Sequence, residues 1–405
     1  MKKLNEYLTY AFLFCLPFQI GKHFFPDYTL LSGVRIDYLS PTLYLTDLLA
    51  IAIIVLNIKV WRPYFTFDNL KYILLFIIIN LFFALSLEVG IYKWLKIFEL
   101  AALFIIFQKK TTPQLYVLLA FLAGGILELV LSLLQLSVKH SIQGPFYWLG
   151  ERALTLSTPD VAKSVLNGVE FLRPYGTFSH PNSMGGFYAL VYAFFLTYQT
   201  KEKLLKYALL FVSFALVLIS FSKVAILAAA GTTIFYAFSE RKRIDCTLCI
   251  VSRIIVVAVL AGLVFFVHGD PLSAKKRWDL VQNAWSIIVQ HPFFGVGAGN
   301  YIIAQHAFPI YYPYFFLQPV HNIFLLLLAE MGILFYAYIT PPAWAFFHKH
   351  KKHLVFLLCL GVVVFTGFFD HYWYTLQQNW LLLAVIFGYS SRTGTPPKSV
   401  LRTSL

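Results

Sequence analysis

KKRWDLVQNAWSIIVQHPFFGVGAGNY, residues 275–301, and QPVHNIFLLLLAEMG, residues 318–332, make up the longest polar-capable interruption in the C-terminal half of a chain otherwise dominated by apolar runs. Within it Trp278, Val281, Trp285, Ile288 and Val289 recur at helical spacing, which predicts an amphipathic helix lying along a bilayer surface rather than crossing it. Lys275, Lys276 and Arg277 open that helix, at the end where the helix dipole disfavours cations. Helix stability does not explain them, which leaves contact with lipid headgroups or a bound anion.

Outward from this stretch the chain reads as membrane. A mean hydropathy of +0.72, 59% hydrophobic residues and 12% charged residues separate it from soluble enzymes. Apolar runs of about 17–25 residues, each enough for roughly 30 Å of hydrocarbon, predict an all-α polytopic membrane protein with about twelve transmembrane helices. The expected spans are 4–20, 41–58, 69–88, 90–107, 113–137, 181–199, 203–220, 222–239, 250–267, 320–347, 353–369 and 373–390. The first has a basic start without a small-residue cleavage site, so it is read as a retained membrane helix. With both termini cytoplasmic, about 20 of the 32 Lys and Arg fall on inner ends, as the positive-inside rule requires. The other dozen point outward and are the anomaly. No basic soluble module accompanies the net charge of +14, so no nucleic-acid partner is expected.

The organisation predicted is an N-terminal transmembrane scaffold (1–137), a first outer loop (138–180), central helices (181–267), a second outer loop holding the amphipathic helix (268–320) and C-terminal helices with a cytoplasmic tail (321–405). Cys246 and Cys249 form a lone Cys-x-x-Cys, too few ligands for a zinc site. Glu99 and Glu128 lie in apolar helices, where a carboxylate is expensive and therefore functional, neutral or paired. Lys93 and Lys96, one turn apart, are read as snorkelling to the outer interface.

Candidate site residues sit at the outer ends of helices. RPYGTFSHPN (173–182) contains two prolines and a glycine, so Arg173 and His180 are held on irregular backbone at a helix mouth, which membrane depth tolerates only around a cavity; the plainer reading is a helix start at Asn182. ISFSKVAIL (219–227) turns over at the outer surface and leaves Lys223 at a helix start. Gly295, Gly297 and Gly299 permit positive φ and let successive N–H groups face an anion. His321 and Asn322 open the tenth span with Glu330 further in; His321 suits proton transfer near neutral pH. Pro341 and Pro342 predict a kink, and Asp370, beside His371, is placed to orient His321 or a cation.

In order, RPYGTFSHPN, FSK before an apolar helix, RWDLVQNAWSIIVQHPFFGVGAGNY and HNIFLLLLAEMGIL resemble the O-antigen ligase and polymerase superfamily over about residues 170–335. The resemblance implies a GT-C-type glycosyltransferase of the bacterial inner membrane, with two large periplasmic loops and its active site facing the periplasm. It implies a glycan donor on undecaprenyl pyrophosphate, a lipid A-core acceptor and surrounding membrane lipids; no cofactor is expected, and because cations can neutralise a departing pyrophosphate, no metal is expected either, although Asp27, Asp37, Asp47, Asp160, Asp270, Asp279 and Asp370 on or near the outer side leave metal dependence open. Carried over by position, Arg277 and Lys223 bind the donor pyrophosphate and His321 is catalytic. Lys223 stands where the family pattern has Arg, which keeps the charge and loses the bidentate fork. From charge and position alone Arg173 joins the pyrophosphate group, with His180, Asn322, Glu330 and Asp370 in support. The long second loop favours an O-antigen ligase over a Wzy-type polymerase or a ligase moving glycans to protein. A lipid-linked sugar flippase is the reading from another class; polar residues gathered on one face, without paired repeats, argue against it.

Overall fold

A computed structural model describes residues 2–166, 168–239, 251, 254–259, 262, 268–269, 272–308, 310–311 and 315–392. The described chain is mostly helical, with short antiparallel ribbons in the segments between helices. The principal helices are α1 (Lys2–Cys15), α2 (Leu45–Leu56), α3 (Phe67–Phe82), α4 (Leu87–Lys109), α5 (Gln114–Val138), α6 (Pro181–Thr197), α7 (Lys203–Ile219), α8 (Lys223–Ser239), α9 (Ser273–Gln290), α10 (Ile323–His350), α11 (Leu354–Gly367), α12 (Tyr372–Thr375) and α13 (Gln377–Ser390). Among the described residues α5 and α10 are long and apolar enough to cross a membrane, and α3 with the bent segment before it makes a third. With the apolar composition this is the architecture of a membrane protein. The span expected at 250–267 lies largely outside the described residues, as do Cys246 and Cys249.

Helix α6 is the hub. It is apolar all round, and such a helix is stable only when surrounded; it packs against α7, α8 and α11. Its Gly185–Gly186 pair decides what comes close. A Cβ at Gly186 would sit 2.1 Å from the Tyr372 hydroxyl, and one at Gly185 would sit 2.6 Å from Ser220 Oγ. Two glycines thus draw the 219–223 turn and α12 against the outer start of α6.

Three expectations change. The kink lies at Gly332 (φ 72°, ψ 175°), while the backbone remains helical through Pro341 and Pro342. The lost helical bonds are replaced from another segment: Ile333 N–H donates to Pro292 O (2.8 Å) and Leu334 N–H to Phe293 O (3.2 Å). In return Val296 and Gly297 donate to Ala329 O (2.9 Å) and Glu330 O (3.0 Å), so HPFFGVG is inserted into the broken helix. Second, Gly295, Gly297 and Gly299 do take positive φ (68°, 91° and 76°), but the anion they meet is the protein's own: Glu330 accepts from Gly299 N–H (2.6 Å), Tyr301 N–H (3.3 Å) and the Tyr374 hydroxyl (2.7 Å). Glu330 therefore holds the fold together. Third, α6 is capped by His180, whose Nδ1 accepts from Asn182 N–H (3.1 Å), which leaves the Asn182 side chain for other work.

Candidate active site

The amphipathic helix forms as read, and its faces divide cleanly. Leu280, Ala284, Ile287 and Ile288 are buried, and the helix packs on α10. Trp278 (61% exposed), Trp285 (60%) and Val289 (61%) face outward, an apolar edge suited to the headgroup boundary. The three cations at its start part company. Lys275 is exposed; Lys276 pairs with Asp160 of the first outer loop at 3.3 Å; Arg277 is half-buried.

Around Arg173 several segments between helices converge. Arg173 donates Nε (3.0 Å) and Nη2 (2.7 Å) to Ser220 O and Nη2 to Asn182 Oδ1 (2.8 Å). Asn182 Nδ2 continues to Asp370 Oδ2 (3.0 Å), and Asp370 Oδ1 lies 3.5 Å from His321 Nδ1 and 3.9 Å from His371 Nε2. One chain of polar contacts therefore joins the 219–223 turn, the 173–182 loop, the 370–371 turn and the start of α10. Asn322 fixes that start: its Oδ1 caps Phe324 and Leu325 N–H (both 3.0 Å), and its Nδ2 donates to Phe368 O (3.1 Å). His371 is oriented by Thr375, whose hydroxyl is 2.7 Å from Nδ1. His321 Nδ1 is buried and has no hydrogen-bond partner among the described residues. Its neighbour on that side is the Asp370 carboxylate, at ion-pair rather than hydrogen-bond distance.

The field around these groups is uneven. Burial pushes His180 down to about 3, with the Arg173 charge adding to it. Burial likewise lowers His371 to about 3, against the pull of Asp370. Arg173 is drawn down to about 10 by burial, the neighbouring Arg277 acting in the same direction. Burial alone would raise Asp370, but the imidazoles of His321, His371 and His180 outweigh it and hold the carboxyl well below the usual range. The carboxyl of this turn is thus held ionised beside three imidazoles, with Arg173 joined to it through Asn182. His321, Asp370 and His371 also offer donor atoms within 4.8 Å of one another, a set that a divalent cation could use.

These residues open on a cavity of about 1140 Å³. His180, His321, Asp370 and His371 line one side; Tyr147, Trp148 and Arg152 come from the first outer loop, and His23, Tyr38 and Thr42 from the segment between α1 and α2. Sequence reading passed over that segment. Its Pro26 and Gly33 break helix, the only available signal, and say nothing of where it folds. Lys93 and Lys96 were also misplaced: they line the cavity, with Lys96 Nζ 2.6 Å from Asp47 and 3.5 Å from Glu99. Glu128 accepts from Thr177 N–H (3.0 Å) and holds the loop bearing His180. Of the expected donor-binding cations, Arg277 acts electrostatically on Arg173, His180 and His371, Arg173 is anchored in the network, and Lys223 is exposed three residues beyond Ser220.

Residues 208–340 match a family model described as O-Antigen ligase, a segment that includes Lys223, Arg277, His321 and the Gly332 break and stops short of Asp370. Among curated proteins none matches the chain. The chain carries an O-antigen ligase family domain, which supports its membership of the O-antigen ligase/Wzy superfamily.

Proposed function

We propose that this chain is an O-antigen ligase. It transfers a glycan from undecaprenyl pyrophosphate to a sugar hydroxyl of lipid A-core, on the periplasmic face of a bacterial inner membrane. The observation that supports the reading is the polar chain from His321 and Asp370, which line one cavity, through Asn182 to Arg173, with Arg277 and Lys223 in the family-matched segment. About twelve spans, inside termini and a GT-C-type arrangement complete the proposal.

The chemistry asks little beyond placement and charge. The acceptor hydroxyl oxygen attacks the anomeric carbon of the donor sugar. The bond from that carbon to the phosphate oxygen breaks, and its electron pair leaves on undecaprenyl pyrophosphate. The hydroxyl proton passes to His321, whose Nδ1 faces Asp370 and whose Nε2 is left for the acceptor. Arg277 and Lys223 neutralise the pyrophosphate; Arg173 adds field and bolts the Lys223 turn to the loop of His180. No step needs a metal.

The test follows the glycan from an undecaprenyl-pyrophosphate carrier in proteoliposomes supplied with lipid A-core and a chelator. Glycan on lipid A-core, at a rate the chelator leaves unchanged, is the expected outcome. Longer glycan still on the carrier would make the chain a Wzy-type polymerase. Lipid crossing the vesicle without covalent change would make it a flippase, and a rate abolished by the chelator would assign the His321–Asp370–His371 donors to a cation.

A further inference from the structure

The donor reading leaves one part of the cavity wall unused: Tyr44, Tyr92, Lys93, Lys96, Gln377 and Trp380 line it, and the space they face is called the second lobe below. Lys93 Nζ sits 3.8 Å from the Tyr374 ring centre and 4.9 Å from that of Trp380; Lys96 Nζ lies 5.7 Å and 5.6 Å from the rings of Tyr44 and Tyr92. Behind them Lys96 joins Asp47 and Glu99, and Gln377 Nε2 donates to Asp47 Oδ1. Charged groups in apolar helices are expensive and collect where a water-filled pathway or a substrate needs them.

The charge balance says which substrate. Lys96 is paired with Asp47 and Glu99, and Lys93 lies near Glu330, so neither ammonium group stands without a carboxyl beside it. A diphosphate finds no net positive field here, unlike the Arg173–Arg277 side. Flat aromatic walls with amide, ammonium and carboxylate groups between them suit a neutral ring bearing many hydroxyls. Glu99 stands behind the wall, holding Lys96 at 3.5 Å, and leaves the lining itself to Lys93, Lys96, Gln377 and the rings. The two lobes meet at the 370–375 turn: Arg277 and Lys93 both act on His371, and Asp370 reaches Arg173 through Asn182.

We infer that this aromatic-walled lobe is the acceptor subsite, holding the neutral sugar whose hydroxyl is presented to His321 while the pyrophosphate stays on the Arg173–Arg277 side. The inference rests on the glycosyl-transfer reading above, and wild-type transfer is established first; without it the failure belongs to that reading.

The test varies donor and acceptor separately for Gln377→Leu and for Trp380→Phe. The first removes one polar lining group and the second keeps an aromatic wall if Gln377→Leu fails to fold. The lobe as acceptor subsite raises the KM for acceptor about 10-fold in Gln377→Leu, the loss of one good hydrogen bond, with donor KM unchanged. In Trp380→Phe the acceptor KM rises by a smaller factor. Titration of wild type with free core oligosaccharide shows binding without donor, weakened in the variants. A rise in donor KM instead would give the lobe to the donor glycan and overturn the inference. Unchanged values for both substrates would do the same, and so would a fall in kcat and thermal midpoint with both KM values constant, the signature of a brace between α2, α4 and α13.

Discussion

The two ends of the first stretch of α10 carry equally conspicuous motifs and do opposite things. At its break, Gly332 is enclosed by the HPFFGVG segment, and every exchanged carbonyl and N–H named above has a partner. Asn80 of α3 closes the joint, donating to Phe294 O (3.2 Å) and Glu330 O (3.1 Å) and accepting from Ala298 N–H (3.0 Å). At its start, His321 faces the cavity with Nδ1 3.5 Å from the Asp370 carboxylate, which Asn182 holds in place. The glycine motif looked like an anion cradle and is a splice, while His321, read as a candidate for proton transfer, lines the cavity.

The sharpest way to break this contrast is one substitution at each end. His321→Ala, or Arg277→Ala, is expected to lower kcat by at least about 10²–10⁴-fold in protein of normal yield and thermal midpoint. Gly332→Ala places a Cβ 2.2 Å from Phe293 O at a φ of +72°, a combination that costs several kcal/mol and is expected to abolish expression or lower the thermal midpoint sharply. Any Gly332→Ala protein that does fold turns over normally. Equal kinetic loss in both variants at normal stability would collapse the distinction between the two ends.

Within the catalytic end, Asp370→Asn keeps the shape of the side chain and removes the charge opposite His321 Nδ1. The expected loss is about 100-fold in kcat with KM for both substrates within about twofold, because the carboxylate acts on the imidazole and not on the sugar. Steady-state kinetics over both substrates decides it. A change confined to KM would move Asp370 from positioning the base to binding a substrate.

How much of this was readable from residues follows the same physics. Helices α5 and α6 begin within about one residue of the expected spans, since length and apolarity are local properties. The amphipathic helix was legible for the same reason, its Trp278 and Trp285 lying on one outward face. The break at Gly332 was not: a Pro-Pro pair is the louder helix breaker in isolation, and only the docking of residues 292–297 makes glycine the site of fracture. Nor could spacing reveal that Lys96 meets Asp47, 49 positions earlier, or that Asn182 links Arg173 to Asp370. Such contacts are set by which helices pack together, and spacing along the chain does not carry that.

The smallest expected effect concerns acid. His180 and His371 both have imidazoles that burial holds near 3 in the folded protein, against an ordinary value of 6.5, and His180 accepts a backbone N–H that its protonated form could not accept at that nitrogen. The titratable groups facing them are Arg173, Arg277, Lys93, His321 and Asp370, and only Asp370 favours protonation. Between pH 6.5 and about 3 the unfolded chain takes up protons that these rings refuse, so stability is full above 6.5 and falls as pH drops through that window. Each ring contributes a slope of up to about 1.4 kcal/mol per pH unit. Thermal midpoints of the purified protein at pH 7.5, 6, 5 and 4 measure it. His180→Asn, which retains a capping acceptor and cannot titrate, is expected to flatten the slope by about half of their joint contribution. An acid slope identical to wild type would mean that His180 takes up its proton without unfolding. The loop at the mouth of α6 would then admit water to the ring, and the 173–182 segment would belong with the open, reactive end of the molecule rather than with its spliced scaffold.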